Sequence, residues 1–369
     1  MNQNTAIERL EFIGALRGIA CLFVVYAHVI VNYAKQNGVP LSSVEWIRDN
    51  VTEPFAIIQN FGWFGVVLFF LISGYIITHT IQRDSIVSFA IKRLLRIYPA
   101  FIVCVAVTAI GRYYMYDKPF FAWDEYLLSF SLSGYWPTKQ YIQLGVEWTL
   151  VIEMKFYLLT FMTFHLMKKS PASAVTVQLA LIAIAVYYCR SFGNTFFLFV
   201  VSISYVPFLI SGQLLYLLQT KKINSLFFVT GTIATIALAI YGIKTYHPRY
   251  LQPDNSYMVT FFYCYTIFCI SALFSSRIQS NVIARFFENI SYSLYLYHGL
   301  VCFSILDLLS PYIDNHWLKV LIALAGGFLV SWWSYAYVER SAQNAGRWII
   351  ARLLSYQGAS DGSRRDKPT

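Results

Sequence analysis

Long apolar runs divided by short polar breaks make up most of this chain. A helix needs about 20 mostly apolar residues to cross a bilayer. Ten stretches qualify: residues 12–34, 61–80, 98–116, 146–167, 174–190, 195–218, 225–243, 257–275, 290–310 and 317–338. The fifth and sixth are joined by a very short turn, Arg190 to Asn194. The pattern predicts an all-α, polytopic membrane protein of about ten transmembrane helices. Residues 1–340 form its membrane domain. The first run is too long for a signal-peptide core and carries Arg17 and His28, so it reads as a retained helix. Residues 82–97 interleave Arg83, Lys92, Arg93 and Arg96 with Ile86, Phe89, Ile91 and Leu94, which predicts an amphipathic helix on the inner surface. Residues 341–369 read as a basic cytoplasmic tail. It has a possible helix around Arg347–Ile350 and a polar, disordered end from Gly358 to Thr369. No internal repeat is visible.

Composition agrees with this picture. The chain is 57% hydrophobic and 12% charged, with a mean hydropathy of +0.54, outside the range of soluble domains. Its net charge of +10 would suit either nucleic-acid binding or the basic bias of cytoplasmic loops. The distribution decides for the second. With the N-terminus inside, 17 Lys and Arg fall in cytoplasmic segments and 8 in outer loops, which predicts both termini in the cytoplasm and no nucleic-acid partner. The outer loops 35–60 and 117–145 carry Trp46, Phe120, Phe121, Trp123, Tyr135 and Trp136. These aromatics either cap an outward-facing cavity or form interfacial belts. The six cysteines lie in or at the ends of apolar stretches without a CxxC pair. They read as small buried hydrophobes, with no disulfide framework and no metal site.

Ionisable groups inside membrane helices are costly and mark functional sites by default. Arg17 and His28 are eleven residues apart in the first run. At 100° and 1.5 Å per residue they return to one face, within roughly 20°, about 16 Å apart. Such a pair can hold the two ends of a long ligand.

Five motifs, in order, resemble the acyltransferase-3 family of bacterial integral-membrane O-acyltransferases. They are Arg17-x10-His28; Phe69-Phe70-Leu71-Ile72-Ser73-Gly74-Tyr75; Arg93-Leu94-Leu95-Arg96 before Tyr98-Pro99; Trp148-Thr149-Leu150-Val151-Ile152-Glu153-Met154-Lys155-Phe156-Tyr157; and Ser291-Tyr292-Ser293-Leu294-Tyr295-Leu296-Tyr297-His298. Thr149 stands where Ser is usual. Ser341 stands where Pro is common after Val338-Glu339-Arg340. The resemblance implies a multi-pass enzyme of the bacterial inner membrane. It would use acyl-CoA, usually acetyl-CoA, to acylate a hydroxyl of a cell-surface or lipid-linked glycan.

The residues can be read beside that resemblance. Arg93 and Arg96, three apart, lie on one helical face. Their guanidinium forks suit the phosphates of coenzyme A, or else anchor the chain to anionic lipid. Arg17 either snorkels to the interface or holds a phosphate or amide of the pantetheine arm. His28 reads either as the base that takes a proton from the acceptor hydroxyl or as a hydrogen-bonded core histidine. Glu153 lies about 10 Å below the outer end of its span, near the depth of His28, where it either orients His28 or only fixes packing. Lys155 sits on another face from Glu153. His298 reads as lining the coenzyme channel or packing. Ser73, Tyr75 and Trp148 read as substrate contacts or packing, with Ser73 weak as a covalent acyl carrier. His79 and His165 read as interfacial. A second class of function, a proton-coupled transporter or flippase of a lipid-linked sugar, also fits buried Arg, His and Glu. A scaffold without chemistry leaves them unexplained.

Overall fold

The computed structural model describes residues 3–117, 119–120, 122–132, 145–188, 197–246, 255–279 and 281–365. All regular elements among them are helical. Helix α1 (Gln3–Val25) runs on through a π-helical stretch, Tyr26–Asn32, to Gln36. There follow α2 (Gly62–Arg83), α3 (Ile86–Tyr116), α4 (Glu147–Met162), α5 (Pro171–Tyr188) and α6 (Val206–Gln219). Then come α7 (Ser225–Tyr246), α8 (Asn255–Leu273), α9 (Val282–Tyr297), α10 (His316–Trp333) and α11 (Arg340–Arg365). Helix α9 passes through a π-helical stretch, His298–Cys302, into Phe303–Leu309, and α10 passes through another, Ser334–Glu339, into α11.

Nine helices among the described residues are long and apolar enough to cross a membrane. In lipid the backbone can satisfy its polar groups only within itself, which is why such runs must be helical. The protein is therefore a multi-pass membrane protein. The run at 146–167 differs from the other nine expected spans: it breaks at Thr163 (φ −98°, ψ 12°) into α4, 16 residues, and Phe164–Lys169, 6 residues. The freed groups find local partners. Thr163 Oγ1 donates to the Leu159 carbonyl at 2.8 Å and accepts from Gln178 Nε2 at 2.7 Å.

Two further expectations are corrected. Residues 86–97 are not a separate surface helix but the first turns of α3, which continues past Pro99 and is started by Ser85, whose side chain accepts from Ser88 N. The tail is helical through Arg365, past Gly358, where polar composition predicts disorder. Of the outer aromatics, Trp46 and Trp123 are exposed and Phe120 stacks on Tyr113; Phe121, Tyr135 and Trp136 lie outside the described residues, as do Cys189 and the turn Arg190–Asn194. The cysteines Cys21, Cys104, Cys264 and Cys302 are buried free thiols.

Helices α2 and α6 are the most enclosed spans. They meet through reciprocal glycines: a Cβ on Gly74 would overlap the Leu209 carbonyl oxygen, and one on Gly212 would overlap that of Leu71. Close backbone approach through small residues is how membrane helices gain contact without a hydrophobic drive. Because the obstacle is backbone, Gly74→Ala is expected to cost at least the ~1–3 kcal/mol of ordinary overpacking. Thermal aggregation of the purified protein in detergent should report a lower midpoint; an unchanged midpoint would show that α2 and α6 part freely.

Candidate active site

All five sequence motifs contribute to the wall of one cavity between α1, α2, α3, α4 and α9. It encloses about 760 Å³, counting its open mouth. Arg17 enters from α1, Ser73 with Phe69 and Phe70 from α2, and Arg93 and Arg96 from α3. Thr149, Glu153 and Tyr157 come from α4, and Ser291, Tyr292 and Tyr295 from α9. Each set lies at i, i+3 or i+4 spacing on its helix, so a single face of each turns inward.

The three arginines are held differently. Arg96 Nη1 pairs with Glu339 Oε2 at 3.0 Å, and its guanidinium lies over the Tyr292 ring. The Glu339 side chain is fully buried and also accepts from Ser293 N at 3.1 Å and Ser293 Oγ at 2.5 Å. Arg93 donates from Nη2 to Thr80 Oγ1 at 2.6 Å, while its buried Nε has no hydrogen-bond partner. Arg17 is half-buried and, among the described residues, makes no hydrogen bond or ion pair; Arg96, Glu288, Glu153 and Arg93 surround it electrostatically. Three guanidinium groups in one cavity repel one another and favour an anion between them.

Glu153 faces these arginines rather than His28. Its Oε1 accepts from Ser73 Oγ at 3.1 Å and from Tyr157 OH at 2.6 Å. Ser73 therefore acts as a donor to the Glu153 carboxylate. Lys155, two residues on, points away and is buried with Ser202 Oγ and the Phe199 carbonyl as partners. Tyr75 and Trp148 both sit among other rings. Tyr75 OH donates to Gln219 Oε1 at 2.8 Å and its ring meets Phe12, Tyr216 and Phe268 edge-on. Trp148 stacks among Trp63, Phe70 and Tyr205.

The partner of His28 is His298. Nδ1 of His28 and Nε2 of His298 are 2.9 Å apart across a sequence separation of 270. The hydrogen-bond arithmetic sets both tautomers. His298 Nδ1 lies 3.1 Å from the Leu294 carbonyl and 2.9 Å from that of Tyr295. Carbonyl oxygens only accept, so this nitrogen carries the proton. In neutral His298 Nε2 is then a bare acceptor, and His28 must donate to it from Nδ1. That leaves Nε2 of neutral His28 with a free lone pair, the form a general base requires. Both residues sit in π-helical stretches, Tyr26–Asn32 and His298–Cys302, wider turns that recur at functional sites. The His pair connects to the cavity through Tyr295, whose ring lies 6.1 Å from that of His298 and whose hydroxyl is 2.8 Å from Thr149 Oγ1.

The structure thus brings together Arg17, Arg93, Arg96, Glu153 and Ser73 in one cavity, and pairs His28 with His298 behind Tyr295 of its wall. Two expectations change. His298, expected to line the coenzyme channel or to pack, lies against His28, the position expected of Glu153, which bonds Ser73 and Tyr157 instead. Glu339 was missed as a site residue; a carboxylate next to Arg340 at the end of an apolar run was the signal that pointed to it.

A family model described as "Acyltransferase domain" matches residues 10–336. "Nodulation protein 10" of Rhizobium leguminosarum bv. viciae is 26% identical over 336 residues, covering 79% of this chain and 85% of that protein. No solved structure matches.

Proposed function

This chain belongs to the acyltransferase-3 family of membrane acyltransferases, and from that premise we propose that it moves an acetyl group from acetyl-CoA to a hydroxyl of a cell-surface or lipid-linked glycan at the bacterial inner membrane. The observation that supports the reading is the nearness of two parts: a three-arginine cavity suited to a phosphorylated donor and a His28–His298 pair behind Tyr295, one of the residues of its wall. The phosphorylated head rests on Arg93 and Arg96, and the pantetheine arm passes Arg17 toward the His28 end.

The chemistry then balances. The acceptor O–H gives its proton to His28 Nε2 as its oxygen attacks the thioester carbonyl carbon. A C–O bond forms, the C–S bond breaks, and the departing thiolate takes the proton back from the imidazolium. His298 Nε2 accepts from the charged ring throughout, the orienting role an acid plays in hydrolase triads. Glu153, held by Ser73 and Tyr157, offsets the arginine charge rather than touching the base. His28 and His298 therefore carry the reaction, while Arg17, Arg93 and Arg96 hold the donor.

Incubating the purified protein with radiolabelled acetyl-CoA and an acceptor glycan tests this. Label should pass to the glycan. Arg93→Ala should raise the KM for acetyl-CoA about tenfold or more, the size of one lost charge-assisted bond. If the glycan instead crosses vesicle membranes with no label attached, the protein is a transporter and the proposal falls.

A further inference from the structure

A second opening, about 630 Å³ counting its mouth, lies between α3 and α11. Lys92, Arg93, Leu95 and Arg96 line one wall, and Gln343, Gly346 and Arg347 line the other. Arg93 and Arg96 also line the interior cavity, so that pair stands between the two spaces. Among the described residues, four cations and no carboxylate line the opening. They are not equally engaged. Lys92 Nζ is 2.8 Å from both oxygens of Asp84, and Arg96 is paired with Glu339. Arg93 Nε and Gln343 Nε2, one from each wall, are buried donors with no hydrogen-bond partner. Arg347 is exposed, donates to Asn344 Oδ1, and has no ion pair among the described residues. Buried donors left unpaired are costly in an empty site and become favourable when an acceptor arrives. Guanidinium forks favour the oxygens of phosphate.

Helix α11 starts at Arg340, beyond the residues 10–336 that match the family model. Its wall is therefore supplied by this chain from outside the shared domain.

We propose that α11 completes a polyphosphate-binding groove in which Gln343 and Arg347, facing Arg93, hold the phosphorylated nucleotide head of the acyl donor. Assigning the phosphate to an acyl donor rests on the function proposed above; the groove itself does not. The head stays outside the bundle, on the α3–α11 groove, and only the thin arm passes between Arg93 and Arg96 to the interior. Anionic lipid headgroups offer the same phosphate chemistry, so the test separates them.

The full-length protein is titrated with adenosine 3′,5′-bisphosphate in lipid-free detergent, by calorimetry, as wild type, Arg347→Glu, Gln343→Ala and Arg347→Lys. Arg347→Glu should weaken binding about tenfold or more, Gln343→Ala less, and Arg347→Lys least. Arg347 is exposed, so monodispersity on gel filtration should be unchanged; a variant that fails this check is replaced by Arg347→Ala. In the transfer assay Arg347→Glu should raise the KM for acetyl-CoA while leaving that for acetyl-pantetheine, which lacks the head, unchanged. Wild-type bisphosphate binding by Arg347→Glu overturns the proposal. So does loss of phosphatidylglycerol retention alone, which would make the groove a lipid site. Arg347-dependent bisphosphate binding without any acyl transfer would uphold the groove and sink the donor reading of the whole protein.

Discussion

Alanine at either His28 or His298 should lower kcat for acetyl transfer by about 10²–10⁴-fold, and alanine at both should lower it no further. The magnitude is that of a positioned general base. The lack of further loss follows from the geometry. His28 is a base only while its Nδ1 proton has an acceptor, and that acceptor is His298 Nε2, 2.9 Å away. His298 is itself locked by two carbonyls, at 3.1 and 2.9 Å, so it has one nitrogen to offer. Without it, the neutral His28 ring is free to turn or to protonate the wrong nitrogen. Groups that act as one unit lose their effect together. Initial rates on the two single variants and the double, with KM for acetyl-CoA measured separately, decide the matter. Losses that multiply would mean that the two histidines work independently. A loss in KM alone would return His298 to the donor channel.

Arg96→Ala should destabilise the protein by about 3–5 kcal/mol, the cost of orphaning a buried partner, whatever it does to donor binding. Glu339 is fully enclosed and, among the described residues, its other hydrogen bonds come from Ser293, so removing Arg96 leaves a carboxylate without its cation in the bundle. The double variant Arg96→Met with Glu339→Met should regain most of that stability, because exchanging both partners of a buried pair for apolar groups is often neutral or better. It should not regain transfer if Arg96 holds the donor. Melting in detergent beside transfer rate separates the two roles. A single variant as stable as the wild type would show that Arg96 serves the ligand and not the fold.

These residues show where sequence reading reaches and where it stops. The motif positions were legible one helix at a time. Arg93 and Arg96 were expected on one face and do line the same cavity, because three-residue spacing is a local property of a helix. Arg17 and His28 were expected to align by the 3.6-residue period. The structure sets His28 in a π-helical stretch, where that period no longer holds, and it is His298 that gives it a role. Depth along a span placed Glu153 near His28. Depth says nothing of rotation about the bundle, and Glu153 turns toward Ser73 and Tyr157.

The sequence by itself determined that this is a multi-pass α-helical protein of the acyltransferase-3 kind, and roughly where nine of its ten expected spans lie, the run at 146–167 being the exception. That much is local: in lipid a backbone must bond to itself, so the length of an apolar run sets the element. It also supplied the expensive groups, Arg17, His28, Arg93, Arg96, Glu153 and His298. Which of them meet was decided by the tertiary structure alone. The His28–His298 contact spans 270 residues and the Arg96–Glu339 pair 243. No spacing rule reaches across separate helices; their rotation and approach are set by packing, as at Gly74 and Gly212. The break at Thr163, the fusion of residues 86–97 into α3 and the docking of α11 beside Arg93 belong to the same class. Each is a choice among helical arrangements equally allowed locally, and it is settled by which neighbours fill the space and which polar groups find partners.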